Sequence, residues 1–282
     1  MEQRYGYVER LGDLLMKYPQ SEKQFWSDLR PTGYSGLDEQ LGGWRPGELT
    51  ILASQHDWIL PELNLQMIEA VAIKEQRQVL FIQVGTSIRH LVGTWLNRTQ
   101  AYPWWRRTQN NEADLDESKL HDVAEAPIYL LDAHGYCVNK LTQRIDAFAQ
   151  AEEVMGLIVI DGIDRLDIWE GMPDVSLATR WASVSGALKS IAMRHRCPVI
   201  VNSGMQIYEK DETPIETALL RHLPHEGALA SAADQVLVLG TSDNMVSGEP
   251  VDLYSVYSRH RLLCSVQLRF DHKTGRWDEV AR

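Results

Sequence analysis

Six apolar runs punctuate an otherwise mixed chain: Glu48–Ala53, Gln78–Val84, Ile128–Leu131, Leu157–Asp161, Val199–Asn202 and Gln235–Leu239. Most are continuous rather than alternating, the pattern of strands buried on both faces. Between them, apolar positions at helical spacing predict helices over Leu63–Lys74, Val138–Glu153 and Ala178–Arg194. Strands that alternate with helices predict a mostly parallel sheet flanked by helices, an α/β fold. Near the C-terminus the pattern changes. Asp252–Ser258 and Leu263–Phe270 alternate, and Lys273-Thr274-Gly275-Arg276 reads as a turn before Trp277, which predicts an antiparallel hairpin at the sheet edge. At the other end, Val8, Leu11, Leu14, Leu15 and Tyr18 share one helical face, and Pro19 with the polar residues after it ends that helix. An amphipathic helix alone cannot bury its stripe. Residues 1–30 are therefore read as an arm that docks on its own domain or on a neighbouring copy, ahead of one domain over residues 31–282.

Composition narrows the classes. The chain is 44% hydrophobic and 24% charged, enough apolar content for a core and too much for a disordered tail. No apolar run approaches the roughly 20 residues that span a bilayer. The first residues are charged throughout and lack a signal-peptide apolar core, so a cytoplasmic location is expected. Cys137, Cys197 and Cys264 are too few and too scattered for a disulfide framework or a zinc pattern. Lys plus Arg number 28 against 39 Asp plus Glu, a formal charge of −11, which excludes a globally basic nucleic-acid binder but not a local basic groove. The nine tryptophans read chiefly as core or interface anchors.

The most specific stretch is Pro31–Ala53, PTGYSGLDEQLGGWRPGELTILA. Its spacing of TG, LD, LGG and PGEL before a buried strand resembles the entry into the nucleotide fold of RecA-type ATPases. Later segments single out bacterial replicative helicases of the DnaB type. Gly156–Asp161 resembles that family's Walker B strand, Val184–Val201 its following helix and strand, and Glu226–Leu239 its next strand. The order holds over nearly all of residues 31–282. The resemblance implies a RecA-like P-loop-NTPase fold. It also places the N-terminal arm where the family has a linker helix that packs on the neighbouring subunit of a ring, and the family's separate N-terminal domain is not expected here.

The chemistry of the site departs from the family. A phosphate cradle needs a glycine-rich loop for converging N–H groups, a Lys to neutralise phosphate and a hydroxyl to hold Mg²⁺. The loop after Glu48–Ala53 reads Ser54, Gln55, His56, Asp57, Trp58, Ile59, Leu60, Pro61 and Glu62, with Ile59-Leu60-Pro61 in the positions of Gly-Lys-Thr. Asp57 and Glu62 would repel phosphate, and Trp58 and Ile59 are expected to fill the hollow. The family's catalytic Glu falls on Gly85, within Gln83-Val84-Gly85-Thr86, and its polar sensor on Ser203-Gly204. Asp161 stands where the family holds Mg²⁺; here it is read as a structural relic that caps a turn. No catalytic residue, metal or nucleotide cofactor is expected, and ATP with Mg²⁺ belongs only to the rival reading of a divergent motor. Arg259 and Arg261 fall on the family's Lys-x-Arg finger, with the rival that they are two solvated strand-end arginines.

DNA contact is expected to be weak. The stretch Gln206–Glu226, where the family holds ssDNA, begins with Glu209, Asp211, Glu212 and Glu216. Arg221, His222 and His225 are a small basic counterpoint. Trp104, Trp105, Arg106 and Arg107 combine stacking surfaces with cations, a composition that fits ssDNA or, in so acidic a chain, a protein partner. Together these readings imply a catalytically degenerate, DnaB-helicase-like component of DNA replication or mobile-element maintenance, partnered with itself or with an active helicase. The alternatives are a divergent ATP-dependent motor and an ssDNA-binding accessory.

Overall fold

A computed structural model of the chain describes residues 10–13, 16, 28–100, 117–151, 155–169, 175–205, 220–240, 248–260 and 265–280. The strands are β1 (Leu49–Ser54), β2 (Gln78–Gln83), β3 (Ile128–Asp132), β4 (Met155–Asp161), β5 (Val199–Gly204), β6 (Gln235–Leu239), β7 (Val251–Ser258), β8 (Ser265–Asp271) and β9 (Arg276–Glu279). They form one sheet in the order β3-β2-β4-β5-β1-β6-β7-β8-β9. β3 through β6 in that order are parallel; β6 to β9 are antiparallel neighbours. The predicted terminal hairpin is thus the outer part of a three-stranded meander, closed by Trp277, which is fully buried against Phe270.

The helices are α1 (Ser35–Leu41), α2 (Leu60–Glu69), α3 (Ile88–Gln100), α4 (Glu117–Glu125), α5 (Val138–Ala151), α6 (Leu177–His195) and the short α7 (Pro224–Gly227). Two apolar layers explain the continuous strand runs. Leu52, Phe81 and Val159 face one layer with α2 and α3; Ile51, Ile82 and Ile160 face the other with α5 and α6. Successive strand residues point to opposite faces, so a strand covered on both sides must be apolar at every position. Each fully buried Leu or Ile stabilises by about 2 kcal/mol.

Two expectations change. The helix after β1 starts at Leu60, three residues before the predicted Leu63, with Pro61 in its first turn where a missing N–H costs nothing. And α3 and α4, which the apolar pattern did not predict, cover the sheet beside β3. Of the arm, Leu11 is helical and 70% exposed and Met16 is 85% exposed, whereas Val8, Leu14 and Leu15 lie outside the described residues. Among the described residues no helix is long and apolar enough to cross a membrane.

Candidate functional site

The C-terminal ends of the parallel strands gather the polar side chains of the sheet. β1 ends at Ser54, and Gln55 and His56 lead straight into a 3₁₀ turn, Asp57–Ile59, which runs on into α2. Ile59 and Leu60 are fully buried in the core layer beneath. Trp58 does not fill the hollow: it is 52% exposed and lines an open cleft of about 150 Å³ with Asp57, Pro61 and Asp161. Gln55 instead lines an adjoining cavity, and His56 is half-buried beside Ser54, whose Oγ accepts its N–H at 3.2 Å.

Asp161, at the end of β4, does not cap the turn that follows. Its Oδ1 accepts Asn202 Nδ2 from β5 at 2.5 Å. Burial pushes its carboxyl up to about 6, with Asp164 and Asp57 adding to the rise and hydrogen bonds from Asn202 and Gln83 opposing it. Glu62, in the first turn of α2, is pushed up to about 7 by burial, again with Asp161 as a contributor. A buried carboxylate without a cation prefers its neutral form.

Position 85 packs against the loop that follows β4. Gly162 has φ of +73°, and a Cβ there would lie 3.0 Å from Gly85 N; a Cβ on Gly85 would meet Arg165 Cγ at 3.3 Å. The loops after β2 and β4 therefore touch, and position 162 suits glycine. Ser203 Oγ donates to the carbonyl of Gly204, and Thr86 Oγ1 donates to Gln83 Oε1 at 2.7 Å. Asn202 and Gln83 were missed from the sequence, since each ends an apolar run and finds its partners only through sheet order.

The adjoining cavity, about 680 Å³, brings Arg221, His222 and His225 around Trp181, with His225 stacked on the indole at 6.3 Å. His222, half-buried, and His225, exposed, both line this open cavity. Among the described residues no group of three His, Cys, Asp or Glu is placed to hold a metal ion. Arg259 Nε lies 2.9 Å from Oδ1 of Asp234, a buried carboxylate that also accepts Lys189 Nζ at 2.6 Å and the Leu49 N–H at 2.8 Å. Arg261, Trp104, Trp105, Arg106 and Arg107 lie outside the described residues.

A parallel sheet entered through β1 and α2, with its polar cleft at the strand ends and an antiparallel outer edge, is the RecA-like fold. Solved structures agree: one solved ATPase domain superposes with a TM-score of 0.82 over 97% of this chain and 100% of that one at 15% identity. A DnaB-like replicative helicase, solved in a study of its interactions with primase, superposes at 0.79 over 97% of this chain and 68% of that one at 16% identity. The family described as DnaB-like helicase C terminal domain matches residues 30–279, and the chain belongs to it. Among curated relatives, a probable plasmid replicative DNA helicase of Chlamydia trachomatis serovar L2 is 20% identical over 98% of this chain and 60% of its own length. A replicative DNA helicase DnaB of Leifsonia xyli is 22% identical over 89% of this chain and 56% of its own. The chain thus spans less than two thirds of the length of these relatives.

Proposed function

We propose that this domain serves DNA replication without hydrolysing ATP, as a structural or regulatory component that assembles with itself or with an active helicase. The observation that carries this reading is the β1–α2 junction. Between Ser54 and Glu62 there is no glycine, no lysine and no second hydroxyl, and Ile59 and Leu60 turn into the core. These residues do not fit a nucleoside triphosphate: the cleft presents Asp57, Asp161 and Asp164, no lysine stands in the loop after β1, and of its basic side chains Arg165 turns its Nε to Asp164. Position 85 offers no carboxylate to activate a water.

The replicative helicases among the relatives support the replication setting, which would place the domain in the cytoplasm. The arm supports partnering, because Leu11 and Met16 stand exposed on it. A rival reading, a divergent ATP-driven motor, draws on Asp161, which keeps its place at the end of β4 beside an open cleft.

Steady-state ATP hydrolysis with and without ssDNA tests the reading. No turnover above a protein-free control is expected, and turnover abolished by Asp161→Asn would support the motor. For the arm, deletion of residues 1–20 should dissociate the assembly, or release a bound helicase, while leaving the circular-dichroism spectrum of the sheet intact. A monomer before and after deletion, with only a lower melting temperature, would make the arm an internal strut.

A further inference from the structure

Several hydrogen-bond donors around the strand-end cleft are committed to the protein itself. Asn202 Nδ2 serves Asp161, Thr86 serves Gln83, Ser203 serves the carbonyl of Gly204, and the Gly204 N–H points to Asp164 at 3.4 Å. Acceptors remain. Asn202 lines the cleft, is only 1% exposed, and its Oδ1 has no partner. Its amide cannot be turned to hide that oxygen, because the nitrogen must face the Asp161 carboxylate. Asp57 lies over the strand end, with its Oδ2 3.6 Å from where a Cβ on Gly204 would stand. Asp161 and Asp164 complete the wall, and Arg165, which turns its Nε to Asp164 at 3.4 Å, and His90 are the basic side chains beside them.

We infer that this cleft binds an organic cation, the guanidinium or alkylammonium head of a side chain or a polyamine, in the place where its relatives' fold offers a nucleotide site. The inference rests on the non-hydrolysing reading above and names the chemistry that replaces phosphate. Three points select this class. The wall is acceptor-rich and carries a buried orphan acceptor, which a donor-only ligand satisfies. Its carboxylates are not grouped closely enough for a metal ion, whereas a guanidinium spreads five N–H donors across a plane and can bridge separated acceptors. At about 150 Å³ the cleft is half the roughly 300 Å³ at the lower end of drug-sized ligand pockets, so it suits a head group. Trp58, half exposed in the cleft lining, adds an aromatic side chain beside which such a cation can settle.

The test is an amide-resolved NMR titration of the full chain with N-acetyl-arginine amide, its neutral isostere N-acetyl-citrulline amide, spermidine and Mg-ATP, all at one ionic strength. Saturable shifts of the Asp57, Gly162, Ser203 and Gly204 amides are expected with the arginine compound, at an affinity about tenfold above that for citrulline. Asp57→Asn should weaken this binding about fivefold or more. Asp164→Asn is the second variant should the first not fold. Tighter binding of spermidine than of the arginine compound identifies a free polyamine as the source, and the reverse identifies a partner's side chain. Equal shifts with arginine and citrulline, none with either cation, or binding unchanged in both variants overturns the inference. Saturable binding of Mg-ATP at the same amides overturns the non-hydrolysing reading instead, and the cation arms report independently of it.

Discussion

Replacing Leu60 by lysine restores the family's residue at its phosphate-binding position and separates two views of the β1–α2 junction. In this fold Leu60 is fully buried, in contact with the layer that holds Leu63, Val71 and Phe81. Loss of its burial costs about 2 kcal/mol. Bringing an ammonium into the same place costs several kcal/mol more, reduced by whatever bending lets the head reach Glu62 or Asp161. A loss of about 4 kcal/mol follows, or a fall of about 10 °C in melting temperature for a chain of this size. Leu60→Met, which conserves volume, should cost less than about 1.5 kcal/mol. Urea unfolding followed by far-ultraviolet circular dichroism reads both, with the comparison made at equal slope. If Leu60→Lys lies within about 1 kcal/mol of Leu60→Met, the side chain at this position reaches the cleft freely, and the junction is a divergent phosphate loop rather than part of the core.

Arg98→Met should destabilise by about 3 kcal/mol, because Arg98 is 3% exposed, pairs with Glu69 at 3.0 Å and donates to the Gly275 carbonyl, tying α3 to α2 and to the β8–β9 turn; a urea midpoint within about 0.5 kcal/mol of wild type would contradict this. Asp161 has a folded value of about 6, above that of an unfolded aspartate, so the native state binds the extra proton and Asp161's contribution to stability falls as pH rises from about 4 through 6. Asp161→Asn should therefore gain more relative to wild type at pH 8 than at pH 4, and an equal difference at both values refutes the burial of that carboxylate.

The centre of the sheet was legible because its strands lack polar faces: Leu157–Asp161 or Gln235–Leu239 can only be central strands covered on both sides. α3 was not legible, because its inward face carries Thr94, Asn97 and Arg98 beside Leu91 and Trp95, and three buried polar residues erase the apolar stripe. The start of α2 was hidden by Pro61, which reads as loop although the first helical turn accommodates it. In the site, the absent glycines and lysine were plain, and so was Asp161. Its partner Asn202 was not, since 41 residues separate the two and only the adjacency of β4 and β5 joins them. That the cleft stands open was equally out of reach, because whether Trp58 turns in or out depends on a 3₁₀ turn that local pattern does not specify.

Thermal melting with millimolar Mg-ATP, against Mg²⁺ alone, addresses the central claim most directly. A ligand at a thousand times its dissociation constant stabilises the fold by about 4 kcal/mol, which would raise the melting temperature by about 8 °C or more. The account predicts no nucleotide-dependent change. A rise of that size, lost in Asp161→Asn, would contradict it and return the domain to the ATP-binding members of its family.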